Sequence, residues 1–96
     1  MQIRVKDIIN SNFLVVEDAV VLRVEIIKLL NSYENIVLDF SDIENQEDIL
    51  TCSFFSTLII PIHSLFEERI KVANLINNRN YNKVLLGSAF VKVLDE

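Results

Sequence analysis

Ninety-six residues suffice for one domain with a single core, and a composition of 51% hydrophobic and 24% charged residues excludes a disordered chain. The net charge of −5 disfavours nucleic acid and anionic membranes as partners, because both attract positively charged surfaces. A single cysteine excludes an internal disulfide and a cysteine-based zinc site, and no apolar run is long enough to span a bilayer. We therefore expect a cytoplasmic protein.

The first third of the chain predicts a strand and a helix. Partial alternation of apolar residues over Ile3 to Ile9 predicts a half-exposed strand, and residues 10–12 form a turn. Residues 13–16 fit either a short second strand or the lead into a helix. From about Glu17 to Ser32, apolar residues recur every three or four positions, which predicts an amphipathic helix packed on a sheet. Three more apolar residues widen its predicted core face: Val20, Val24 and Ile27.

The middle of the chain predicts a buried strand and a second helix. Ile36 to Phe40 carries apolar residues on both faces, which is typical of a central strand covered by helices on both sides. An acidic, exposed loop follows over Ser41 to Asp48. Ile49 to Arg69 has a helical pattern, and Pro61 should kink or break this helix because it removes one backbone hydrogen bond.

The last third predicts a strand over Ile70 to Ile76, a short third helix with Gly87 near its end, and a final short strand over Phe90 to Leu94. The predicted order is β-α-β-α-β-α-β over a single domain, residues 1–96. We expect an α/β fold with a four- or five-stranded mixed sheet and about three helices.

Two side chains suggest nucleophilic chemistry, but their spacing argues against it. Cys52 stands at the predicted start of the second helix, where the helix dipole favours a thiolate. The single histidine, His63, would lie about three helical turns, or 16 Å, from Cys52 on the same helix, which is too far for a catalytic pair. We interpret Cys52 as inert and His63 as a helix-surface or boundary residue, and we predict no enzymatic activity.

A cluster of carboxylates suggests a cation site, since Mg²⁺ and Ca²⁺ prefer oxygen ligands. The cluster lacks the spacing and the glycine of an EF-hand loop, so we interpret it as a solvated loop that attracts a basic partner and predict no metal and no cofactor. Its members are Asp39, Asp42, Glu44, Glu47 and Asp48.

Three short motifs resemble a STAS domain, the superfamily of sulphate transporters and anti-sigma-factor antagonists. They are the run Ile36 to Ile43 (IVLDFSDI), the helix start Thr51 to Phe54 (TCSF) and the strand end Val72 to Leu75 (VANL). The likeness spans about Glu17 to Val93 and is closer to the small bacterial STAS-like branch. It implies a small α/β sandwich.

The resemblance also implies a regulatory function. In antagonists of this superfamily, a serine at the start of the helix after the central strand is phosphorylated by a kinase that is also the anti-sigma factor. Ser53 matches that position best, with Thr51 and Cys52 before it and Phe54 where the classical antagonists have glycine. The implied partner is a histidine-kinase-like ATPase or an anti-sigma-type kinase. The alternative interpretation of Ser53 is a plain helix N-cap.

We therefore predict a non-enzymatic module that binds a protein partner through the loop after Phe40 and the start of the second helix. The predicted contact residues are Asp39, Ser41, Asp42, Glu44, Thr51, Cys52, Ser53 and Phe54. A homodimer is a second possibility, because the second helical region carries more apolar residues than one core is expected to hide.

Two alternative functions remain open. One is a small acidic inhibitor or decoy protein, of the mobile-element type, that blocks a basic site on its target. The other is an enzyme or ligand-binding protein that uses Cys52 and the carboxylates.

Overall fold

The computed structural model describes residues 1–44, 51–75 and 79–95, the last range with side chains up to Gly87. Strands and helices alternate along the chain, which confirms the broad α/β class. In chain order the elements are β1 (Gln2–Arg4), α1 (Val5–Ile9), α2 (Val16–Leu29), β2 (Ile36–Asp39), α3 (Thr51–Ile59), a 3₁₀ turn (Ile60–Ile62), α4 (His63–Glu68), β3 (Ile70–Ala73) and α5 (Arg79–Asp95).

The described residues form one sheet of three strands, with β2 at its centre and β1 and β3 at its edges. Both pairings are parallel, and Leu38 lies between Ile3 and Val72 in register. The central position of β2 agrees with the sequence. The prediction of a mixed sheet with four or five strands does not match this part of the chain, because all three strands run in one direction.

The two ends of the chain differ from the sequence prediction. The first strand stops at Arg4, and the next five residues form α1, because Val5 and Ile9 are one helical turn apart and both are buried. Residues 13–15 are not a strand and lead into α2. The predicted strand over Phe90 to Leu94 is wrong, because α5 continues through these residues to Asp95.

Among the described residues, one face of the sheet is buried and the other is largely exposed. Ile36, Leu38 and Phe40 are fully buried on one face, whereas Gln2 and Lys71, register neighbours of Val37, are exposed on the other. This corrects the prediction that helices cover both sides of β2. The strand order provides the reason, since two successive right-handed crossovers in the order 1-2-3 lie on the same side of the sheet.

The break predicted at Pro61 is confirmed. α3 ends at Ile59, Pro61 lies within the 3₁₀ turn, and α4 begins at His63. Proline supplies no N–H for an intrahelical hydrogen bond, so the chain can change direction at this point. α3 packs against α2 on one side and α5 on the other.

The predicted amphipathic helix is confirmed as α2, but its core face is narrower than the sequence suggested. Ala19, Leu22 and Ile26 are fully buried. Val20, Val24 and Ile27, which the sequence placed on the same face, are exposed instead.

The second helical region hides most of its apolar residues. The sequence suggested that this region has more apolar side chains than one core can hide. Four of the large ones are buried, namely Phe54, Phe55, Ile59 and Phe66, whereas Ile60 is exposed. Ring contacts connect this region to the sheet and to α5. The exposed apolar surface of the described residues therefore lies mainly on α2 and the residues before it.

Arg69 joins α2 to the start of β2. Its Nε donates to the carbonyl oxygen of Glu34 at 2.8 Å, and its Nη2 donates to those of Leu30 and Tyr33, each at 3.0 Å. The guanidinium therefore binds the carbonyl group at the C-cap of α2 and two carbonyl groups in the turn that leads to β2.

Candidate partner-binding surface

The carboxyl ends of the three parallel strands meet at one edge of the sheet, where Arg4, Asp39 and Ala73 are neighbours in register. The loops after these strands therefore lie at this end of the molecule. Clefts at this edge bind ligands in many α/β proteins. The sequence-predicted contact residues follow β2 and begin α3, and so belong to this end.

Asp39 is the centre of a hydrogen-bond network at this edge. Its Oδ1 accepts a bond from Asn74 Nδ2 at 2.8 Å and from the Ser41 backbone N–H at 2.9 Å, while its Oδ2 accepts one from Gln2 Nε2 at 3.4 Å. The bonds from Asn74 and Ser41 lower the pKa of the Asp39 carboxyl below its ordinary value of 3.8, against the opposing effect of burial. Asp39 therefore stays ionised and is fully engaged within its own chain.

The loop after β2 turns away through Asp42, which has a φ of 63°. Asparagine and aspartate tolerate this left-handed conformation better than most residues. Glu44 is exposed and tied to the preceding loop, because Asn12 Nδ2 donates to Glu44 Oε1 at 2.9 Å and the Glu44 N–H donates to the Asn12 carbonyl oxygen at 2.8 Å. Asp42 and Glu44 thus present carboxylates on a fixed loop.

Part of the acidic cluster falls outside the described residues, namely Glu47 and Asp48. Among residues 1–44, 51–75 and 79–95, no three His, Cys, Asp or Glu side chains come together in a group that could hold a metal ion.

The structure removes two residues from the predicted contact set. Thr51 and Phe54 are fully buried, and Asn80 Nδ2 donates to Thr51 Oγ1 at 2.8 Å, which joins the first turns of α3 and α5. Their role is to hold α3 in the core. Cys52 is half-buried, and Ser53 is exposed.

Ser53 lies beside an apolar depression that the sequence did not predict. Leu14, Val15 and Val16 line it together with Ser53, and its volume is about 210 Å³. Val15, Val16 and the nearby Phe13 are exposed. The signal in the sequence was the apolar run from Phe13 to Val16 before the periodic part of α2, in which Leu14 alone is buried in the core.

Cys52 and His63 do not share a helix. Cys52 lies in the first turn of α3, and His63 is the first residue of α4, beyond the Pro61 break. His63 is 6% exposed, which corrects its predicted place at the helix surface. Neither of its ring nitrogens has a hydrogen-bond partner in the described part of the chain; Glu67 Oε1 lies 3.4 Å from Nε2 but without hydrogen-bond alignment.

None of the helices formed by the described residues combines the length and the apolar character needed to cross a membrane. Comparisons with protein-family models, with curated protein sequences and with solved structures found no match to this chain. The resemblance to STAS-like domains therefore rests on its three short sequence motifs.

Proposed function

We propose that this chain is a cytoplasmic, non-enzymatic regulatory module with a small STAS-like fold, which binds a protein partner at the carboxyl-end edge of its sheet. The observation that carries the proposal is the position of Ser53, an exposed hydroxyl in the first turn of α3 beside the apolar depression. The partner is a histidine-kinase-like ATPase or an anti-sigma-type kinase, as the resemblance implies.

The composition of this surface supports protein binding. Val15 and Val16 provide exposed apolar area next to Ser53, Phe13 is an exposed apolar residue shortly before them in the chain, and Asp42 and Glu44 provide exposed carboxylates on the loop after β2. An apolar centre with charged residues at its margin is the usual composition of a protein interface. A partner with an apolar projection and basic residues around it fits this surface.

A phosphate on Ser53 would act as an off-switch for such a complex. The first turn of a helix stabilises a group of about −2 charge in the free protein. A docked partner would have to desolvate that phosphate against the apolar side chains of Leu14, Val15 and Val16, which costs binding free energy. Phosphorylation would therefore favour the free protein.

The test compares three variants in affinity capture from the native cell, with recovered proteins quantified by mass spectrometry. Ser53→Asp mimics the phosphate, Ser53→Ala removes the hydroxyl, and Ser64→Asp is the matched control, because Ser64 is also an exposed serine in the first turn of a helix. We expect wild type, Ser53→Ala and Ser64→Asp to recover the same partner and Ser53→Asp to recover at least about tenfold less.

Equal recovery of every partner by all four proteins would reject the proposal. Thermal melting of each variant shows whether a loss of binding reflects unfolding, since a Ser53→Asp chain that melts like wild type has lost the interaction alone.

The charge of the chain favours a second candidate, the acidic inhibitor or decoy. The net charge is −5, and Asp42 and Glu44 are exposed at the same edge. Replacing both with Asn and Gln would abolish binding by such an inhibitor, because attraction to a basic target depends on charge. The same double variant of a regulatory module would retain Ser53-dependent binding through the apolar residues.

A further inference from the structure

The exposed side of α2 carries an apolar surface that begins at Val16, which also borders the depression beside Ser53, and continues along the helix. Val16, Val20, Val24 and Ile27 are 40, 42, 56 and 45% exposed and follow one another at helical spacing. They fall within an arc of about 80° around the helix axis, and no charged residue lies within that arc. We call these four residues the outer stripe.

The residue types of the outer stripe are unfavourable for a helix face that meets only water. β-Branched side chains lose rotamer freedom in a helix, so valine and isoleucine are weaker helix formers than alanine, lysine or glutamate. Packing against another surface would offset that loss. The side chains are also short, which lets a second helix approach to about 8–10 Å between axes.

The charges beside the outer stripe form a pattern that suits its own copy. Glu17 in the first turn and Lys28 in the last turn are both exposed and lie along the same margin of the stripe, about 16 Å apart along the axis. The other margin is occupied within the chain, because Arg23 donates to the Thr57 carbonyl oxygen of α3.

We infer that the outer stripe pairs with the outer stripe of a second copy, with the two α2 helices antiparallel about a two-fold axis. This arrangement places Glu17 of each copy near Lys28 of the other and brings Val20 and Val24 together at the centre. A parallel arrangement about a two-fold axis would place the two margins on opposite sides of the interface, so Glu17 would not face Lys28 of the other copy, and antiparallel helix dipoles also attract.

The interface is small, so the dimer is weak. Four half-exposed aliphatic side chains per copy cover less than the roughly 800 Å² per partner of a standard interface. A dissociation constant on the order of tens of micromolar is expected.

Sedimentation equilibrium over a range of concentrations tests the pairing. Wild type should show a monomer–dimer equilibrium, and Val24→Glu should weaken dimerisation at least about tenfold by placing two carboxylates at the centre. Leu86→Glu is the matched control, because Leu86 is an apolar side chain 72% exposed on α5, and it should dimerise like wild type.

Charge reversal tests the antiparallel orientation. Glu17→Lys and Lys28→Glu should each weaken the dimer, because each opposes like charges across the axis, and the double variant should restore it. A wild type that stays monomeric at about 0.5 mM overturns the inference, since weaker association falls outside the expected range. A dimer that Val24→Glu leaves unchanged also overturns it. So does a wild type that is monomeric and captures another protein which the Val24→Glu variant no longer captures.

Discussion

At the scale of single residues, Asp39 shows how a carboxylate can be buried when its own chain supplies the hydrogen bonds. The sequence identified it as a candidate cation ligand within the carboxylate cluster and as a predicted partner contact beside the loop after Phe40. In the structure, its two carboxylate oxygens accept hydrogen bonds from Asn74, Ser41 and Gln2. Periodicity could predict that Asp39 ends a buried strand, but it could not predict that the residue after β3 returns to bind it.

Asp39→Asn should lower the free energy of unfolding by about 1–3 kcal/mol at pH 7. The asparagine side chain replaces one accepting oxygen with an NH₂ group, which would then face another hydrogen-bond donor. The folded-state pKa of Asp39 is lowered, so its contribution is full above the ordinary value of 3.8 and is lost as the pH falls through the folded-state pKa. Urea titrations at several pH values should show the difference between variant and wild type shrinking in acid.

The neighbouring carboxylate gives the control for this prediction. Asp42→Asn should stay close to wild type, because Asp42 is exposed and asparagine tolerates its left-handed backbone conformation equally well. A loss at Asp42 as large as that at Asp39 would contradict the assigned hydrogen-bond network.

His63 is the second residue whose environment the sequence could not reveal. It is buried with both ring nitrogens lacking hydrogen-bond partners among the described residues. His63→Met, which keeps a similar volume, should raise the free energy of unfolding by about 1–2 kcal/mol, because it removes polar atoms that burial leaves unsatisfied.

Glu67→Gln separates this effect from the nearby carboxylate. Glu67 is about half exposed, and its contact to His63 lacks hydrogen-bond alignment, so this variant should change stability by less than about 0.5 kcal/mol. A destabilised His63→Met chain would mean that the imidazole has a stabilising partner after all.

At the scale of elements, the long regular patterns were predictable and the short ones were not. Repeated three- and four-residue spacing identified α2, and the apolar run Ile36 to Phe40 identified β2. At the junction of β1 and the short α1, Ile3 and Val5 alternate as a strand would, and only burial of Val5 with Ile9 distinguishes the helix. α5 was shortened in the prediction because Gly87 and the β-branched residues after it favour a turn and a strand.

Gly87 therefore lies inside a helix, where it weakens the structure. A Cβ added at this position meets nothing within 4 Å, and the residue is exposed. Gly87→Ala should raise the free energy of unfolding by about 0.5–1 kcal/mol, as measured by thermal and urea denaturation.

Gly87→Pro provides the opposite test of the same helix. Proline in a helix interior costs roughly 3 kcal/mol or more, whereas in a turn the two substitutions would have similar small effects. Stability that does not differ between the Ala and Pro variants would place the end of α5 before residue 87.

At the scale of the whole molecule, aromatic contacts connect Phe40, at the end of β2, to α3 and α5. The Phe55 ring centre lies 5.8 Å from that of Phe40 after β2, 5.5 Å from Phe54 and 5.7 Å from Tyr81 on α5. Burial also raises the pKa of the Tyr81 phenol above 10.0. Phe55 is thus where the core face of the sheet, α3 and α5 meet.

Phe55→Ala should lower the free energy of unfolding by about 3–5 kcal/mol, because the cavity it leaves borders three aromatic rings. Phe13→Ala is the matched control, since Phe13 is exposed before α2 and should cost less than about 0.5 kcal/mol. Equal losses in chemical denaturation would contradict the assigned core.

The candidate surface was predictable only in part, because the packing of helices and loops that are distant in sequence decides which of its residues are exposed. The TCSF motif located the start of α3, but two of its four residues face the core, and only the packing of α3 between α2 and α5 decides which. The apolar neighbours of Ser53 are the first residue of α2 and the two residues before it, because parallel connections bring distant loops to one edge.

The one-directional sheet also determines how the chain can reach its native state during synthesis. β2 leaves the ribosome when only β1 is available beside it, and its second neighbour follows only after α3, the Pro61 turn and α4 have been made. Until then one side of β2 has unpaired backbone groups, which invite pairing with other nascent chains. We expect the native fold to form in a single cooperative step once Ile70–Ala73 has been synthesised, because no fragment that stops before Ile70 can pair both sides of the central strand.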